Sequence, residues 1–482
     1  MDSLPALRVR RVNDAPPRPG GRYVLYWMNA ARRTRANFAL QGAWEAARER
    51  GVPLLVLEAI GLDHRWASPR FHRFVLDGMR DQAARLGAAY YPYVERTAGA
   101  GRGLVAALAR DAALVVTDDW PCFHLPRRVE AAGRQLDVAL LAVDSNGLLP
   151  VRDAPATPFP TAYAFRRHLQ ARLPAHLGAM PADDPLPDTL PEPTVDPEVL
   201  ARWAPGLDVD LATLPLDHEV GPVSGVRGGA AAAEARLTAF LARIERYAED
   251  RNDVARDVPS GLSPYLHFGH VSAHTVVRAV LSREGWSPES VRAGGNGSRS
   301  GWWHAGEAAE AFLDQVVTWR ELGFNLTSRE PAYDRWESLP AWARATLEDH
   351  AGDPRPHRYD HATLERAATH DPLWNAAQRQ LRAEGRIHNY LRMLWGKKVL
   401  EWSATPQEGF ATLVALNDRW ALDGRDPNSY TGISWVFGKY DRPWGPRRPI
   451  FGTIRYMSSD NTAKKLDVRG YLARWGTQAS LF

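Results

Sequence analysis

A change of hydrophobic pattern halfway along the chain constrains its fold more than any other feature. Before residue 150, short apolar runs alternate with amphipathic stretches, whereas after residue 229 the apolar residues recur with the 3.6-residue period of helices. Strands that alternate with helices form a parallel sheet with helices on both faces. The sequence therefore predicts an α/β domain over residues 20–150, a linker over 151–228 and an all-helical domain over 229–482.

The individual elements follow from the same patterns. The predicted strands are Tyr23–Trp27, Val52–Ile60, Ala89–Val94, Ala113–Thr117 and Val138–Val143. The predicted helices are Asn37–Arg50, Phe71–Leu86, Leu104–Arg110, Ala230–Ala248, Ser272–Arg283, Gly306–Phe324, Pro340–His350 and Ile387–Ser403. The proline-rich, acidic segment Pro174–Pro222 is typical of a linker that runs over the surface, and the Gly/Ser-rich segment Ala293–Gly301 is typical of a flexible insertion.

Composition excludes several classes of protein. The single cysteine, Cys122, excludes an internal disulfide and a CxxC zinc site, which indicates a reducing compartment. Residues 1–20 lack the apolar core of a signal peptide, and no run reaches the roughly 18 apolar residues of a membrane span. The histidines lack ligand spacing, and motifs such as GxSxG and HExxH are absent. We therefore expect a cytoplasmic protein without a metal or a membrane partner, and a monomer because no oligomerisation signal is present.

Charge and tryptophan are unevenly distributed. Residues 386–482 hold 15 Lys or Arg against 8 Asp or Glu, a local charge of +7 in a chain whose net charge is +4. Of the 18 tryptophans, 12 lie beyond residue 300. A basic region rich in aromatic residues favours a polyanionic partner such as nucleic acid. Core packing remains the alternative for any one of these tryptophans.

Several polar and aromatic residues share helix faces. Gln315 and Trp319 are four residues apart, Arg392 and Trp395 three, and Trp395 and Trp402 seven. An indole stripe of this kind usually packs in a core. It acquires a function when a redox cofactor lies at one end, because closely spaced indoles pass single electrons.

Two turn segments are candidate ligand-binding elements. Leu422–Tyr430 (LDGRDPNSY) collects polar and turn residues into a loop, where Asp423 and Asp426 are placed to pair with Arg392 and to bind a heterocycle. The alternative is an ordinary Asx turn. Ser260–Ser263 precedes a predicted helix, and its hydroxyls with the first amides of that helix can hold a phosphate.

Seven motifs, in one order along nearly the whole chain, resemble the photolyase and cryptochrome family and its class II branch. They are Tyr26–Met28, Ser263–Gly269 (SPYLHFG), His370–Asn375 (HDPLWN), Trp395–Ser403 (WGKKVLEWS), Asn417–Asn428 (NDRWALDGRDPN), Gly432–Trp435 (GISW) and Ile454–Met457 (IRYM). The resemblance implies a Rossmann-like parallel-sheet antenna domain, a long linker and a helical FAD-binding domain. It also implies a flavoenzyme that splits cyclobutane pyrimidine dimers with light.

The resemblance implies a cofactor site for FAD. The implied FAD-binding residues are Tyr247, Ser260, Leu262, Ser263, Arg392, Asn417, Asp423 and Asp426. Arg392 and Asp423 then pair beside the isoalloxazine, and Asn417 faces flavin N5. The residues that match the class II chain carrying an electron from the surface to the flavin are Trp374, Trp395 and Trp402. An antenna chromophore, a deazaflavin or a folate, is implied for the N-terminal domain.

The resemblance also implies UV-damaged DNA as the partner. The implied DNA- and lesion-binding residues are Arg251, Asn252, Gln315, Trp319, Met393, Trp435, Arg455, Lys464 and Lys465. At position 315 the class II pattern has a carboxylic acid, whereas this chain has glutamine in Phe312–Gln315 (FLDQ). An amide can donate a hydrogen bond to the lesion but cannot supply a proton. A photolyase for a different lesion and a cryptochrome-like blue-light receptor therefore stay open as alternatives.

Overall fold

The computed structural model describes residues 3–256, 258–291 and 294–476. Its N-terminal part contains a sheet of six strands. The strands are β1 (Val9–Arg11), β2 (Tyr23–Met28), β3 (Leu54–Ile60), β4 (Tyr90–Val94), β5 (Ala112–Asp118) and β6 (Leu140–Val143). They lie in the order β1–β6–β5–β2–β3–β4, and every neighbouring pair is parallel except β1 with β6.

Burial explains why these segments form the sheet. β2 and β5 are buried along their whole length, as central strands with helices on both faces must be. Successive side chains of β2 alternate between two apolar clusters, so that Tyr26 packs on one face and Trp27 on the other. The predicted fold class, a parallel sheet followed by a helical part, is confirmed. β1 was not predicted, because three residues that include two arginines carry no strand pattern.

Helices surround the sheet and form the rest of the chain. The helices up to residue 228 are α1 (Phe38–Arg50), α2 (Pro69–Leu86), α3 (Leu104–Ala109), α4 (Leu125–Gln135), α5 (Ala162–Arg172), α6 (Pro174–Leu177) and α7 (Pro197–Arg202). The later helices are α8 (Ala230–Leu241), α9 (Tyr247–Asp250), α10 (Ser263–His267), α11 (Ala273–Leu281), α12 (Glu307–Leu313), α13 (Arg320–Arg329), α14 (Ala341–Asp349), α15 (His361–Glu365), α16 (Pro372–Glu384), α17 (Asn389–Trp402), α18 (Pro406–Trp420), α19 (Pro427–Val436), α20 (Ser459–Lys465) and α21 (Arg469–Trp475). From α8 onwards they supply most of two large apolar cores.

The segment between the two parts is more ordered than its composition indicates. α5 buries Phe165 and Leu169 in the same apolar core as Phe240 of α8, so this part of the predicted linker packs as an element of the helical part. Further on, Trp203 is buried against the sheet, and the Tyr91 hydroxyl donates to its carbonyl oxygen. Apolar residues scattered between prolines are too few to show a period, and for that reason the sequence indicated only a surface linker.

Two predicted helices are interrupted. The helix predicted over Ala230–Ala248 ends at Leu241. The helix predicted over Gly306–Phe324 contains a π-helical turn between α12 and α13, a feature that is frequent at functional sites. Of the predicted insertion, Ala293 lies outside the described residues, and the part that follows is held to α5 because the Gln170 amide bonds to its backbone.

Two adjacent residues at the start of α13 join the helical part to the sheet. The Glu321 carboxylate accepts bonds from the N–H groups of Leu148 (2.7 Å) and Leu149 (3.1 Å), which follow β6. The Arg320 guanidinium donates to the carbonyl oxygen of Asn146 at 2.7 Å. Both charged side chains are buried. The joint therefore depends on an ionisable carboxyl group that is shielded from water.

Substitution Glu321→Gln is expected to change the pH dependence of stability. Burial raises the pKa of Glu321 from 4.5 to about 7, so ionisation costs more in the folded chain than in the unfolded chain. The folded state consequently loses stability as pH rises through this interval, by on the order of 3 kcal/mol. The melting temperature of E321Q relative to the parent, followed by circular dichroism, should therefore rise with pH between about 4.5 and 7 and then level off. A difference that is independent of pH would contradict this role.

Candidate active site

The centre of the candidate site is an ion pair between α17 and the turn after α18. Arg392 Nη2 lies 3.0 Å from Asp423 Oδ1, and both side chains remain partly accessible. Burial acts to raise the pKa of Asp423, but the Arg392 charge and the Ser263 hydroxyl hold it below its usual value. Ser263 is the first residue of α10. Three of the predicted FAD-binding residues are thus brought together from separate segments.

The turn itself differs from the prediction. Within the described chain Asp426 takes no part in the ion pair: its carboxylate accepts the Asn428 N–H at 2.9 Å and lies 3.2 Å from His267 Nδ1. Pro427 then starts α19, so the loop predicted over Leu422–Tyr430 is a turn followed by a helix. Asp426 therefore forms an Asx-type cap of α19, and its role in binding FAD stays a prediction.

The other predicted FAD-binding residues lie on neighbouring segments. Asn417 is buried in the last turn of α18. The Ser260 hydroxyl accepts the Leu262 N–H at 3.3 Å, and the Ser260 carbonyl oxygen accepts a bond from Arg236 Nε at 2.7 Å. Tyr247 is buried on α9, and its ring contacts are to aromatic rings of α8 and α12 rather than to the ion pair.

The three tryptophans of the predicted electron path are in contact. Trp374 Nε1 donates to the carbonyl oxygen of Trp395 at 3.0 Å, and its ring centroid lies 5.5 Å from that of Trp402. All three are buried, so the predicted path from the surface does not reach solvent at Trp402. The Trp402 ring instead contacts Tyr359 (5.4 Å) and His370 (5.3 Å), which share a 2.7 Å hydrogen bond near the surface. Sequence reasoning missed both of these residues.

The predicted lesion-binding residues lie on helices that pack together. Gln315 and Trp319 are on the π-helical turn before α13, and Trp435 is near the end of α19, which packs along α13. Trp319 and Trp435 are both half-buried against the same apolar core. Met393, half-buried on α17, directly follows Arg392 of the ion pair. Two partly accessible indoles are therefore available to pack against flat rings.

Two basic side chains lie close to the Trp435 ring. Lys397 Nζ is 5.1 Å from its ring centroid, and Arg455 Cζ is 5.5 Å from it. Lys397 is buried on α17 and donates to the carbonyl oxygen of Val436, and burial lowers its pKa to about 7. Arg455, by contrast, is partly accessible, and its Nε lies 3.1 Å from a carboxylate oxygen of Asp441. Arg455 is therefore the cation that can also reach a phosphate.

A basic loop over residues 441–453, next to Arg455, was missed from the sequence. It is closed by a hydrogen bond from Trp444 N to Thr453 O (2.8 Å). Arg442 and Arg455 both place their guanidinium groups over the Trp444 ring, at 4.7 and 4.1 Å. Arg448 is exposed at the far end of the loop. The string DRPWGPRRP, with arginines around a tryptophan, was the available signal.

The remaining predicted DNA contacts are spread over other elements. Arg251 donates to a carbonyl oxygen of α12 at 3.2 Å, and Asn252 beside it is exposed. Lys464 and Lys465 are exposed on α20, which Ser459 anchors to the start of α16 rather than to the basic loop. The structure thus brings Arg455 close to Trp435 but shows no such contact for the two lysines among the described residues.

A cavity of about 120 Å³ lies between the sheet and the helical part. Its lining includes Arg32, His64, His124, Arg128 and Arg425. His64 and His124 stack at 5.8 Å, and burial, with the nearby Arg128 and Arg425, lowers the pKa of both. The two imidazoles are therefore uncharged at neutral pH, and the arginines carry the positive charge of the cavity. This lining suits a ring system with anionic or hydrogen-bond-accepting groups.

The described part of the chain contains neither a membrane-spanning helix nor a metal-binding cluster. No helix there combines the length and the apolar character needed to cross a membrane. No group of three or more His, Cys, Asp or Glu side chains is arranged there to hold a metal ion.

Relatives match nearly the whole chain. The deoxyribodipyrimidine photo-lyase of Methanothermobacter thermautotrophicus is 34% identical over 97% of this chain and 98% of its own length. The deoxyribodipyrimidine photo-lyase of Oryza sativa subsp. japonica is 34% identical over 97% of this chain and 90% of its own length. The one from Arabidopsis thaliana is 31% identical over 93% of this chain and 88% of its own length. No family model matches the chain.

Solved structures share the fold at lower identity. A class III photolyase from Agrobacterium tumefaciens superposes with a TM-score of 0.66 at 20% identity, covering 95% of this chain and 87% of its own. A cryptochrome from Synechocystis sp. PCC6803 gives a TM-score of 0.63 at 16% identity, covering 94% and 88%. These two likenesses support the fold, whereas the sequence relatives exceed 30% identity over most of both chains. The chain therefore belongs to the deoxyribodipyrimidine photo-lyase family, a family of lyases.

Proposed function

We propose that this chain is a class II photolyase, a cytoplasmic monomer that uses light to split cyclobutane pyrimidine dimers in UV-damaged DNA. The observation that carries the proposal is the continuous contact from Trp402 through Trp374 to Trp395, which ends one helical turn from the Arg392–Asp423 ion pair. A buried indole path serves light-driven electron transfer only if a redox cofactor lies at one end. The ion pair marks that end.

The residues at the ion pair fit FAD. Arg392 offers donors and Asp423 offers acceptors for the heteroatoms of an isoalloxazine, and the Asn417 amide can face N5. The hydroxyls of Ser260 and Ser263 suit the phosphates. When bound and reduced, FAD supplies the electron that opens the dimer. The protein binds and orients the two partners and excludes water from between them.

The lesion is proposed to bind in a flipped position beside the π-helical turn, α17 and α19. A damaged pair is cheaper to unstack than an intact one, and aromatic side chains replace the lost stacking. Trp319, Trp435 and Met393 supply the packing surface, and Gln315 donates a hydrogen bond to the lesion. Arg455 and the basic loop hold phosphates beside it. The lysines of α20 extend the positive surface.

The cavity between the two parts is proposed to hold the antenna chromophore. The sheet domain over residues 20–150 and the helical domain over 229–482 both contribute to its lining. A deazaflavin and a folate are both flat and both carry groups that arginines can bind. The absorption spectrum of the chromophore that is extracted from the purified protein distinguishes a deazaflavin from a folate.

Repair of a defined lesion tests the proposal. The purified protein, with FAD reduced, is illuminated with an oligonucleotide that carries one thymine dimer, and the intact thymines are quantified by chromatography. Light-dependent restoration supports a dimer photolyase. Binding without restoration favours the receptor alternative, and restoration of a different photoproduct favours a photolyase for another lesion; Gln315 is the observation that keeps both alternatives open. A protein that cannot be loaded with FAD contradicts all three.

Substitution Gln315→Glu is expected to raise the repair yield per absorbed photon. A carboxyl group can give a stronger hydrogen bond to the lesion than an amide can as negative charge develops there. A gain of ~1 kcal/mol corresponds to about a 5-fold faster splitting step, and the yield rises by at most that factor. Gln315→Leu, which removes the hydrogen bond and keeps the volume, is the matched control and should lower the yield. An unchanged yield in Gln315→Glu would place residue 315 away from the lesion.

A further inference from the structure

Asp418 directly follows Asn417 in the last turn of α18 and is surrounded by hydrogen-bond donors. Its Oδ1 accepts the Asn417 amide nitrogen at 3.2 Å and the Arg425 N–H at 3.0 Å. Its Oδ2 accepts the Tyr430 hydroxyl at 3.1 Å. The residue is only 3% exposed. A buried carboxylate in such a shell can only accept, so Asn417 has to turn its amide nitrogen, and not its oxygen, towards Asp418.

The backbone fixes this arrangement from the opposite side. Arg425 adopts the left-handed conformation with φ of 63°, and its guanidinium donates to the Asp418 carbonyl oxygen. Gly424 lets the turn fold close to the helix, since a Cβ there would lie 2.7 Å from the Asn417 carbonyl oxygen. Burial raises the pKa of the Asp418 carboxyl group, whereas the Arg425 charge and the three donors favour its ionised form.

We infer that Asp418 is a positioning residue that determines which end of the Asn417 amide faces the flavin. The inference rests on the proposed function, in which Asn417 faces N5. With its nitrogen held by Asp418, the amide presents its oxygen to N5. An oxygen stabilises reduced flavin, whose N5 carries a hydrogen, and offers no bond to oxidised flavin, whose N5 is an acceptor. A reversed amide would have the opposite preference.

The midpoint potential of bound FAD tests this role. Asp418→Ala removes the acceptor that orients Asn417, so the potential should become more negative. An approximately tenfold change in the ratio of oxidised to reduced FAD is expected, which is about 30 mV for a two-electron couple. Loss of a nearby negative charge alone would act in the opposite direction, because it favours the reduced form. The sign of the shift therefore separates orientation from charge.

The conservative variant and a double variant sharpen the test. Asp418→Asn can keep an acceptor oxygen at the Oδ1 position and turn its nitrogen towards the Tyr430 oxygen, so it should retain the parent potential more closely than Asp418→Ala does. In an Asn417→Ala background, Asp418→Ala should change the ratio of oxidised to reduced FAD by less than twofold. This corresponds to a shift in the potential of less than about 9 mV. Tyr430→Phe, which leaves the Asn417 contact intact, is the matched control and should not shift it.

The outcomes distinguish this inference from the proposed function. A positive shift in Asp418→Ala, or an equal shift with and without Asn417, overturns the positioning role while repair activity persists. Failure of the parent protein to bind FAD overturns the proposed function instead. Should Asp418→Ala not accumulate as folded protein, Asp418→Ser serves the same purpose, because its hydroxyl is one bond shorter than the carboxylate oxygen. The same negative shift is then expected.

Discussion

Replacement of Trp374 by phenylalanine is expected to slow the light-driven reduction of bound oxidised FAD by roughly 100-fold, a barrier increase of ~2.7 kcal/mol. Trp374 is the middle member of the path: its indole N–H bonds to the backbone of Trp395, and its ring lies against Trp402. Phenylalanine is far harder to oxidise than tryptophan, so in the variant an electron would have to pass directly from Trp402 to Trp395 in one step. Transient absorption after a laser pulse measures the rate.

A matched control separates electron transfer from packing. Trp336 is buried in the same apolar core, has no place in the path, and packs edge-on against Phe437. Trp336→Phe should therefore lose a similar packing area without slowing photoreduction. Repair by enzyme that is chemically reduced beforehand should be retained in Trp374→Phe, because the electron then starts on FAD. Equal slowing in both variants, or loss of repair by the prereduced enzyme, would show that Trp374 is structural.

The helix positions of these indoles, but not their contacts, could be read from the sequence. The seven-residue spacing of Trp395 and Trp402 places them on one face of α17. Trp374 lies on α16, and nothing in its local pattern shows that it fits between them. Packing between helices depends on side-chain shapes that a one-dimensional pattern does not contain. The family resemblance supplied that link.

Because a sequence pattern does not contain the contacts between distant segments, some features of the site could be predicted and others could not. Arg392 and Asp423 are separated by 30 residues, yet their opposite charges and turn context made the pair predictable. The turn residues Asp426 and Pro427 are equally visible in the sequence, and the structure shows that Asp426 caps α19, while its role in binding FAD stays a prediction. Glu321 carried no signal, because a buried carboxylate between two parts of a chain has no local pattern.

Replacement of Trp435 by alanine is expected to weaken binding of dimer-containing DNA by about 10- to 100-fold while leaving the affinity for undamaged duplex nearly unchanged. Stacking of a base on an aromatic side chain contributes roughly 1–3 kcal/mol, and only a flipped lesion can reach the indole. Arg455, whose guanidinium lies 5.5 Å from the Trp435 ring centroid, keeps its charge in the variant, so the positive charge of the surface is preserved. Fluorescence anisotropy with labelled damaged and undamaged duplexes measures both constants.

Arg448→Ala provides the contrasting result, because it removes charge without touching the indole. Arg448 is exposed on the basic loop, and a phosphate contact there carries no information about the lesion. Its loss should weaken damaged and undamaged duplex alike and reduce the slope of log K against log salt by about one. If Trp435→Ala produced that pattern, Trp435 would be part of the general DNA surface. A loss confined to the damaged duplex and insensitive to salt requires that the lesion leaves the helix and stacks on Trp435.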